Sequence, residues 1–191
     1  MRVIGDENEP IFEILGFRFS HAAFVNVRIL LDANNGQTVV VQGMGGELTE
    51  DSPDADFINY SMNVCFWGGP QGRRVWANLR RYNPNNLANL LREWLLFARN
   101  APVGEGIKQG IQIAGLNVSF ASKHLRLLAP HRYAVLDNVI VEGIGVAGNL
   151  KGYQLFLQHL TALRDAMDCT LPIADIEAAV FFLVRQQVRA N

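Results

Sequence analysis

The hydrophobic and polar positions change their period along the chain. Up to about residue 67 the apolar residues come in short β-rich runs, whereas from about residue 84 they recur every three or four residues. Short runs of this kind are typical of strands, and the longer spacing is typical of amphipathic helices. The pattern therefore predicts a small β element that is followed by a helical domain.

The first part of the chain is predicted to contain a hairpin and a third strand. Residues 24–44 hold two β-rich runs on either side of ANNGQ, and Asn-Gly favours a turn whose twist matches that of paired strands. The third strand is predicted at 57–67, DFINYSMNVCF, after a polar loop at 45–56. We therefore expect a β-rich N-terminal element over residues 1–68.

The second part of the chain is predicted to be helical. Apolar spacings of three and four predict helices at about residues 84–100, 104–115, 119–128, 150–168 and 173–189. Asn83 and Pro84 are predicted to start the first of these helices, as a cap and a first-turn proline. The predicted fold class is α+β and mainly α, with a helical domain over residues 69–191 that could form one compact unit with the β element.

The charge of the chain is distributed unevenly, although the net charge is only −1. Residues 1–70 hold three basic and ten acidic residues, residues 71–132 hold ten and two, and residues 133–191 hold four and six. A basic middle segment indicates a site for an anionic partner. The alternative is a solvated face of arginines that pairs with the acidic N-terminal part.

The segment WGGPQGRRVWANLRRYN, residues 67–83, places arginines beside aromatic rings. Guanidinium groups neutralise phosphates, and flat rings stack on exposed bases. The candidate nucleic-acid contacts are therefore Arg73, Arg74, Arg80 and Arg81. A turn and a helix with an exposed basic edge would give the same pattern without a ligand.

One lysine and one aspartate lie in the apolar stretch FASKHLRLLAPHRYAVLDNVI, residues 120–140. Lys123 is on a predicted helix, and Asp137 follows the break at Pro130. An amine that loses its proton can attack an electrophilic sugar carbon, and a carboxylate can assist the proton transfer or stabilise positive charge. The alternatives are a solvated lysine and an aspartate that caps the next helix, a role for which LDNVI is well suited.

The block NVSFASKHLRLLAPHRYAVLDNVI resembles the helix-hairpin-helix DNA glycosylases, in particular their compact bacterial branch similar to 8-oxoguanine DNA glycosylases. That branch carries a Phe-x-Ser/Thr-Lys-x-Leu run and then a proline followed by Leu-Asp. The run and the Leu-Asp pair are matched here by Phe120, Ser122, Lys123, Leu125, Leu136 and Asp137. The segment DIEAAVFFL, residues 175–183, is similar to the terminal helix of the branch, so that the resemblance covers residues 60–189.

The resemblance implies a DNA glycosylase with lyase activity that acts on an oxidised purine in damaged duplex DNA. Lys123 would attack the sugar carbon that bears the base, and Asp137 would activate the amine and stabilise the cationic transition state. The resulting Schiff base would permit strand cleavage by β-elimination. The target base must leave the stack and enter a pocket, whose candidate walls are Phe181, Phe182 and Gln186. The alternative for the two phenylalanines is core packing.

The hairpin of this superfamily is Leu-Pro-Gly-x-Gly, whose glycines let backbone amides approach a phosphate. Here the corresponding region is AGLNVSFASK, in which Gly115 is kept while Asn117 and Ser119 stand where glycines are expected. Amides at the start of the following helix could still donate to an anion. Asn117 and Ser119 are therefore further candidate DNA-binding residues.

The remaining residues indicate no cofactor. The four histidines and two cysteines show no metal-ligand or iron–sulfur spacing, so no metal is expected. The N-terminal sequence lacks the order of a signal peptide, and no apolar run reaches the roughly 18 residues that span a bilayer. We therefore expect a cytoplasmic protein without a membrane partner. Two other functions stay open, a non-catalytic DNA-binding module on the glycosylase scaffold and a protein-interaction component.

Overall fold

The computed structural model describes residues 1–5 and 9–190 of the chain. These residues form ten helices and one three-stranded antiparallel sheet. The prediction of a mainly helical chain with a small antiparallel β element is therefore confirmed. By its contacts the chain divides into two compact units, one of Met1–Asn35 with Leu136–Asn191 and one of Gly36–Val135.

The strands precede the helices along the chain. The strands are β1 (Arg2–Ile4), β2 (Ile11–Ile14) and β3 (Phe17–Ser20). The helices are α1 (His21–Asp32), α2 (Gly36–Glu47), α3 (Asp54–Trp67), α4 (Gly72–Tyr82), α5 (Leu87–Asn100), α6 (Val103–Gly110), α7 (Val118–Leu128), α8 (Asn138–Ile144), α9 (Leu150–Ala166) and α10 (Ile173–Ala190).

The sheet of the first unit follows from a short alternating pattern. Side chains alternate between the two faces of a strand, and Phe12 and Phe19 are buried opposite each other on β2 and β3. Leu15 and Gly16 join these strands with positive φ angles of 51° and 93°. Positive φ at both turn residues matches the twist of a two-residue hairpin.

The hairpin predicted in residues 24–44 is wrong, because this segment forms α1 and α2. Its β-branched residues favour strands by composition, but the buried residues of α1, Phe24 and Val27, are three apart, as on one helix face. Ser20 caps α1 by accepting a hydrogen bond from the Ala23 amide at 3.1 Å. The predicted Asn-Gly turn lies at the junction of α1 and α2, and its glycine is the first residue of α2.

The third strand predicted at residues 57–67 is also wrong, because α3 covers this segment. The buried residues are spaced by one and three, which is the period of a helix. These residues are Phe57, Tyr60, Ser61, Val64 and Cys65. Asp54 and Asp56 lie in the first turn, where the helix dipole favours negative charge.

The helices predicted from residue 84 onward are present with shifted ends. The segment predicted as helix at 104–115 is helical only to Gly110, and the chain then turns before α7. Asn83 does not cap α5, since Asn86 is the N-cap residue. The Asn83 side-chain amide instead donates to the carbonyls of Leu79 and Ala114, at 2.9 and 2.8 Å.

The second unit is built around α7. Every residue of α7 from Phe120 to Leu128 is buried, and α2, α3, α5 and α6 all contact this helix. Trp94 of α5 is fully buried, and its indole nitrogen donates to the Gly106 carbonyl at 2.8 Å. The predicted division into residues 1–68 and 69–191 stays a prediction.

Helix α4 begins in close contact with the end of α3. A Cβ atom at Gly72 would lie 1.6 Å from the Cys65 carbonyl oxygen, so only glycine fits. A Cβ atom at Gly46 on α2 would have no atom within 4 Å other than those of its own helical turn. The two glycines therefore form a matched pair for testing this approach.

We expect Gly72→Ala to lower the free energy of unfolding by roughly 2 kcal/mol or more, because the added methyl must displace backbone. The control Gly46→Ala is expected to raise it by about 0.5–1 kcal/mol, since alanine favours a helix. Urea denaturation followed by circular dichroism measures both changes. Equal stability of Gly72→Ala and the unsubstituted protein would contradict the close packing of α3 and α4.

Candidate functional site

The four predicted arginines lie on one exposed side of α4. Arg73, Arg74, Arg80 and Arg81 are all exposed, whereas Leu79 is buried. At 3.6 residues per turn, residues seven apart are separated by only about 20° around a helix. Arg73 therefore lies above Arg80 and Arg74 above Arg81, and the structure brings the four guanidinium groups to one surface.

The turn between α6 and α7 is held against α4. Gly115 has a φ of 103°, and a Cβ atom there would lie 3.0 Å from the Leu79 amide nitrogen. The Asn83 side chain adds its hydrogen bond to the Ala114 carbonyl at 2.8 Å. Asn117 follows this turn as the N-cap of α7. The basic helix and the predicted hairpin are therefore neighbours within one unit.

The two units differ in charge. Residues 36–135 hold ten basic and seven acidic residues, a net charge of +3. Residues 1–35 and 136–191 together hold seven basic and eleven acidic residues, a net charge of −4. The unit that carries the arginine surface is therefore the positive one, as an anionic partner would require.

Lys123 lies inside this positive unit. Its residue surface is only 7% exposed, and its Nζ donates to Ser119 Oγ at 3.0 Å. The ammonium also lies 4.8 Å from the centre of the Phe120 ring. A Cβ atom at Gly68 would lie 3.1 Å from Lys123 Cδ, so the start of the α3–α4 connection covers the side chain. The alternative of a solvated lysine is therefore wrong.

Polar side chains of α3 and α7 lie near Lys123. His124 Nδ1 lies 2.7 Å from the Phe120 carbonyl oxygen, which can only accept, so Nδ1 carries the proton. His124 Nε2 then accepts from Ser61 Oγ at 2.8 Å. The pKa of His124 is lowered to about 4, mainly by burial and in smaller part by the charge on Lys123, while the Phe120 hydrogen bond opposes the shift. Burial raises the pKa of the Cys65 thiol to about 12, and Lys123 opposes this shift.

The two remaining hairpin candidates take part in local hydrogen bonds. Asn117 Oδ1 accepts from the Phe120 amide at 3.0 Å, which makes Asn117 the N-cap of α7. Ser119 accepts from Lys123, and its carbonyl accepts from Ser122 Oγ at 2.9 Å. Asn117 is exposed and Ser119 half-buried. Their contact with DNA stays a prediction.

Asp137 belongs to the other unit, where it caps α8. Its Oδ1 accepts from the amides of Val139 and Ile140, at 3.0 and 3.2 Å. The side chain is half-buried. The helix-cap alternative is therefore correct for Asp137, and a catalytic role would have to be an additional one.

The base-pocket candidates lie on α10 of the same unit as Asp137. Phe181 and Phe182 are half-buried, and Gln186 is exposed. Gln186 follows Phe182 by one turn, which places both on one side of the helix. The neighbouring Val184 packs closely on α8, because a Cβ atom at Gly143 would lie 2.2 Å from Val184 Cγ1. At about 100° per residue, Phe181 lies next to this packing face and Phe182 lies on the other side of the helix.

A cleft in the positive unit was not predicted from the sequence. Its volume is about 700 Å³, and it lies at the end of α4 and the start of α5. Arg80 and Arg81 line it together with Trp76 and the asparagines at positions 83, 85, 86 and 89. The run NPNN at the start of the helix predicted at residues 84–100 was the available sequence signal.

Comparisons with known proteins find no family model, no curated protein and no solved structure that matches the chain. Within residues 1–5 and 9–190, no helix combines the length and apolar character that a bilayer span requires. Over the same described residues, no three His, Cys, Asp or Glu side chains are grouped as metal ligands would be.

The pKa of His124 predicts a loss of stability in acid. An unfolded histidine binds a proton near its ordinary pKa of 6.5, whereas the folded one binds it only near 4. The unfolded state therefore holds more protons between these values, and the free energy of unfolding should fall by roughly 3 kcal/mol as the pH drops through that window. Urea midpoints between pH 7 and pH 4 measure this loss.

The His124→Asn variant should lack this part of the pH dependence, because its amide can still donate to the Phe120 carbonyl but does not titrate. The pKa of His159 is also lowered, by burial and by the N-terminal charge, so a smaller dependence should persist in the variant. The control His131→Gln, at an exposed histidine, should behave as the unsubstituted protein. An unchanged profile in His124→Asn would contradict the assignment.

Proposed function

We propose that this protein is a DNA glycosylase with AP lyase activity that removes an oxidised purine, such as 8-oxoguanine, from damaged duplex DNA. The observation that carries the proposal is the burial of Lys123, at 7% exposure, within the block that resembles the glycosylases. Lysine is rarely buried to this extent. The burial of this amine within that block supports a chemical role.

The proposed reaction uses the Lys123 amine in its neutral form. Nζ attacks C1′ of the sugar, the bond between C1′ and the base breaks, and the base leaves with the bonding electrons and takes up a proton. The nitrogen passes a proton to a carboxylate, which also stabilises the cationic sugar, and the resemblance gives this role to Asp137. The sugar ring opens to a Schiff base, loss of a C2′ proton expels the 3′-phosphate, and water releases the amine.

The arginine surface of α4 supports binding to the phosphate backbone. Its four guanidinium groups are exposed on one side of a helix, in the unit of net charge +3. Neutralising phosphates releases counterions, and this release provides most of the affinity that does not depend on sequence. The surface would hold the duplex, while the damaged nucleotide leaves the stack.

Access to Lys123 requires a movement of the connection between α3 and α4. Gly68 lies over the Lys123 side chain, and Gly69 has a φ of 95°, which favours glycine. Displacement of this glycine pair would expose Nζ to a sugar. The glycosylase proposal therefore includes an opening step before the chemistry.

The second candidate is a DNA-binding module without catalytic activity. The coverage of Lys123 by Gly68 and the use of Asp137 Oδ1 as a helix cap favour it. Both candidates share the arginine surface, so DNA binding alone does not separate them. Formation of a covalent intermediate does.

Borohydride should trap the unsubstituted protein on a duplex that contains 8-oxoguanine, because it reduces the Schiff base to a stable amine. Lys123→Gln should give no adduct, whereas Lys108→Gln, at an exposed lysine, should trap normally. Asp137→Asn should keep the fold, since asparagine caps a helix as well as aspartate does, and should form the adduct roughly 100-fold more slowly. Denaturing gel electrophoresis of the DNA measures each adduct.

Absence of an adduct with the unsubstituted protein, under conditions that trap a known lyase, would contradict the enzyme proposal. Adduct formation by Lys123→Gln at the normal rate would contradict the assignment of the nucleophile. Circular dichroism of each variant separates loss of chemistry from loss of folding. Full activity of Asp137→Asn would reduce Asp137 to its structural role.

DNA binding should depend on the exposed arginines near the start of α4. In the double variant Arg73→Gln/Arg74→Gln, affinity for duplex DNA should fall at least about tenfold, and the slope of log affinity against log salt should fall by about 2. Fluorescence anisotropy with a labelled duplex measures both. The control Arg2→Gln/Lys151→Gln removes two exposed charges from the other unit and should have no such effect. Equal losses in both double variants would point to net charge instead of this surface.

A further inference from the structure

The cleft at the end of α4 has the size and lining of a small-molecule site. Its volume of about 700 Å³ lies within the range of roughly 300–1,000 Å³ that is usual for pockets that bind small molecules. Its lining combines cationic, amide and apolar side chains from α3, α4, α5 and the connection at residues 83–86. All of these elements belong to the unit Gly36–Val135, so the cleft is a feature of one unit.

Two arginines give one side of the cleft a positive charge. The Arg81 guanidinium is oriented by hydrogen bonds to Asn78 Oδ1 and the Tyr82 hydroxyl, at 3.2 and 2.6 Å, and lies 4.6 Å from the Tyr82 ring centre. Arg80 lines the same cleft. The carboxylate in the lining, Asp54, pairs with the Arg92 guanidinium at 2.8 Å, which offsets its charge. The cleft therefore favours an anionic group.

The other side of the cleft is apolar and contains an indole ring. Trp76 lines the cleft together with Ile58 and Leu87. Trp76 is only 9% exposed, so packing fixes its ring and a small part of it forms the apolar side of the cleft. A fixed aromatic edge offers apolar contact to a nucleobase.

Amide side chains connect the two sides. The four asparagines at positions 83, 85, 86 and 89 line the cleft, and an amide offers both donors and an acceptor, as a base edge does. Asn83 is held by its bonds to two carbonyls, whereas Asn85, Asn86 and Asn89 line the remaining wall. A phosphate group at the arginines, a base at the tryptophan and amides between them match one nucleotide.

We propose that this cleft binds a single nucleotide, with its phosphate at Arg80 and Arg81 and its base against Trp76. The nucleotide is either a unit of a DNA strand, an assignment that rests on the proposed function, or a free mononucleotide. The site is distinct from Lys123, because the side chains that surround that lysine do not line the cleft. The cleft would be a second site that binds a nucleotide, in addition to the proposed site at Lys123.

Two variants test the cleft without changing the side chains of its apolar side. Asn86→Asp adds a negative charge with almost no change in shape, and aspartate is as favourable as asparagine at a helix N-cap, so α5 should stay folded. Arg80→Gln removes one positive charge from an exposed position. Asn26→Asp, at an exposed position on α1, makes the same charge change outside the cleft and is the matched control.

Binding of dAMP and of inorganic phosphate is measured by isothermal titration calorimetry, and binding of a labelled ten-nucleotide single strand by fluorescence anisotropy. The unsubstituted protein should bind dAMP more tightly than phosphate, because the base adds contacts. Arg80→Gln should weaken nucleotide binding about tenfold or more, the effect of losing one charge-assisted hydrogen bond. Asn86→Asp should weaken it by a similar factor, because it places a negative charge in a site for an anion. Asn26→Asp should bind as the unsubstituted protein does.

The outcomes separate this site from the proposed function. Binding of the strand that is weakened by Asn86→Asp supports a DNA nucleotide as the occupant. Binding of dAMP without any binding of DNA supports a free nucleotide and counts against the glycosylase proposal. Equal affinity for dAMP and phosphate overturns the nucleotide assignment. DNA binding that is lost in Arg73→Gln/Arg74→Gln but unchanged in Asn86→Asp overturns the cleft and leaves the arginine surface.

Discussion

The burial of α7 is the constraint on which the second unit depends. This helix is buried although it carries Ser122, Lys123, His124 and Arg126. A buried polar group without a partner costs roughly 1–3 kcal/mol, so its neighbours must be placed to satisfy it. Ser61 of α3 meets the His124 ring, and the Tyr60 hydroxyl donates to the His124 carbonyl at 2.5 Å. The position of α3 is therefore set by hydrogen bonds as well as by apolar packing.

The arginine surface and the cleft follow from the same packing. Because α3 is fixed against α7, the close approach at Gly72 fixes the start of α4, and Gly115 brings the turn before α7 against the middle of α4. These contacts bury Leu79 and leave the arginines on the opposite side of the helix. The end of α4 then meets the asparagine-rich start of α5. A structural core thus positions the groups to which we assign function.

The helices from residue 84 onward could be predicted from sequence because each buries one continuous face. Helices α1 to α3 could not be predicted from β-branched composition, and for α3 the spacing of Phe57, Tyr60 and Val64 was the better signal. The arginine surface of α4 could be predicted from sequence, because its four residues lie in one short segment and their exposure does not depend on distant residues. The burial of Lys123 was not, because the residue that covers it, Gly68, is 55 positions away in the chain. The cleft likewise depends on side chains from three helices.

The central claim is that Lys123 forms the covalent bond to the sugar. The chain contains three lysines, at positions 108, 123 and 151, so the attachment site can be assigned without ambiguity. The direct measurement is peptide mass spectrometry of the borohydride-reduced adduct with a lesion-containing duplex. We predict that the added mass lies on the peptide with Lys123. Attachment at Lys108, at Lys151 or at the N-terminal amine would contradict the claim.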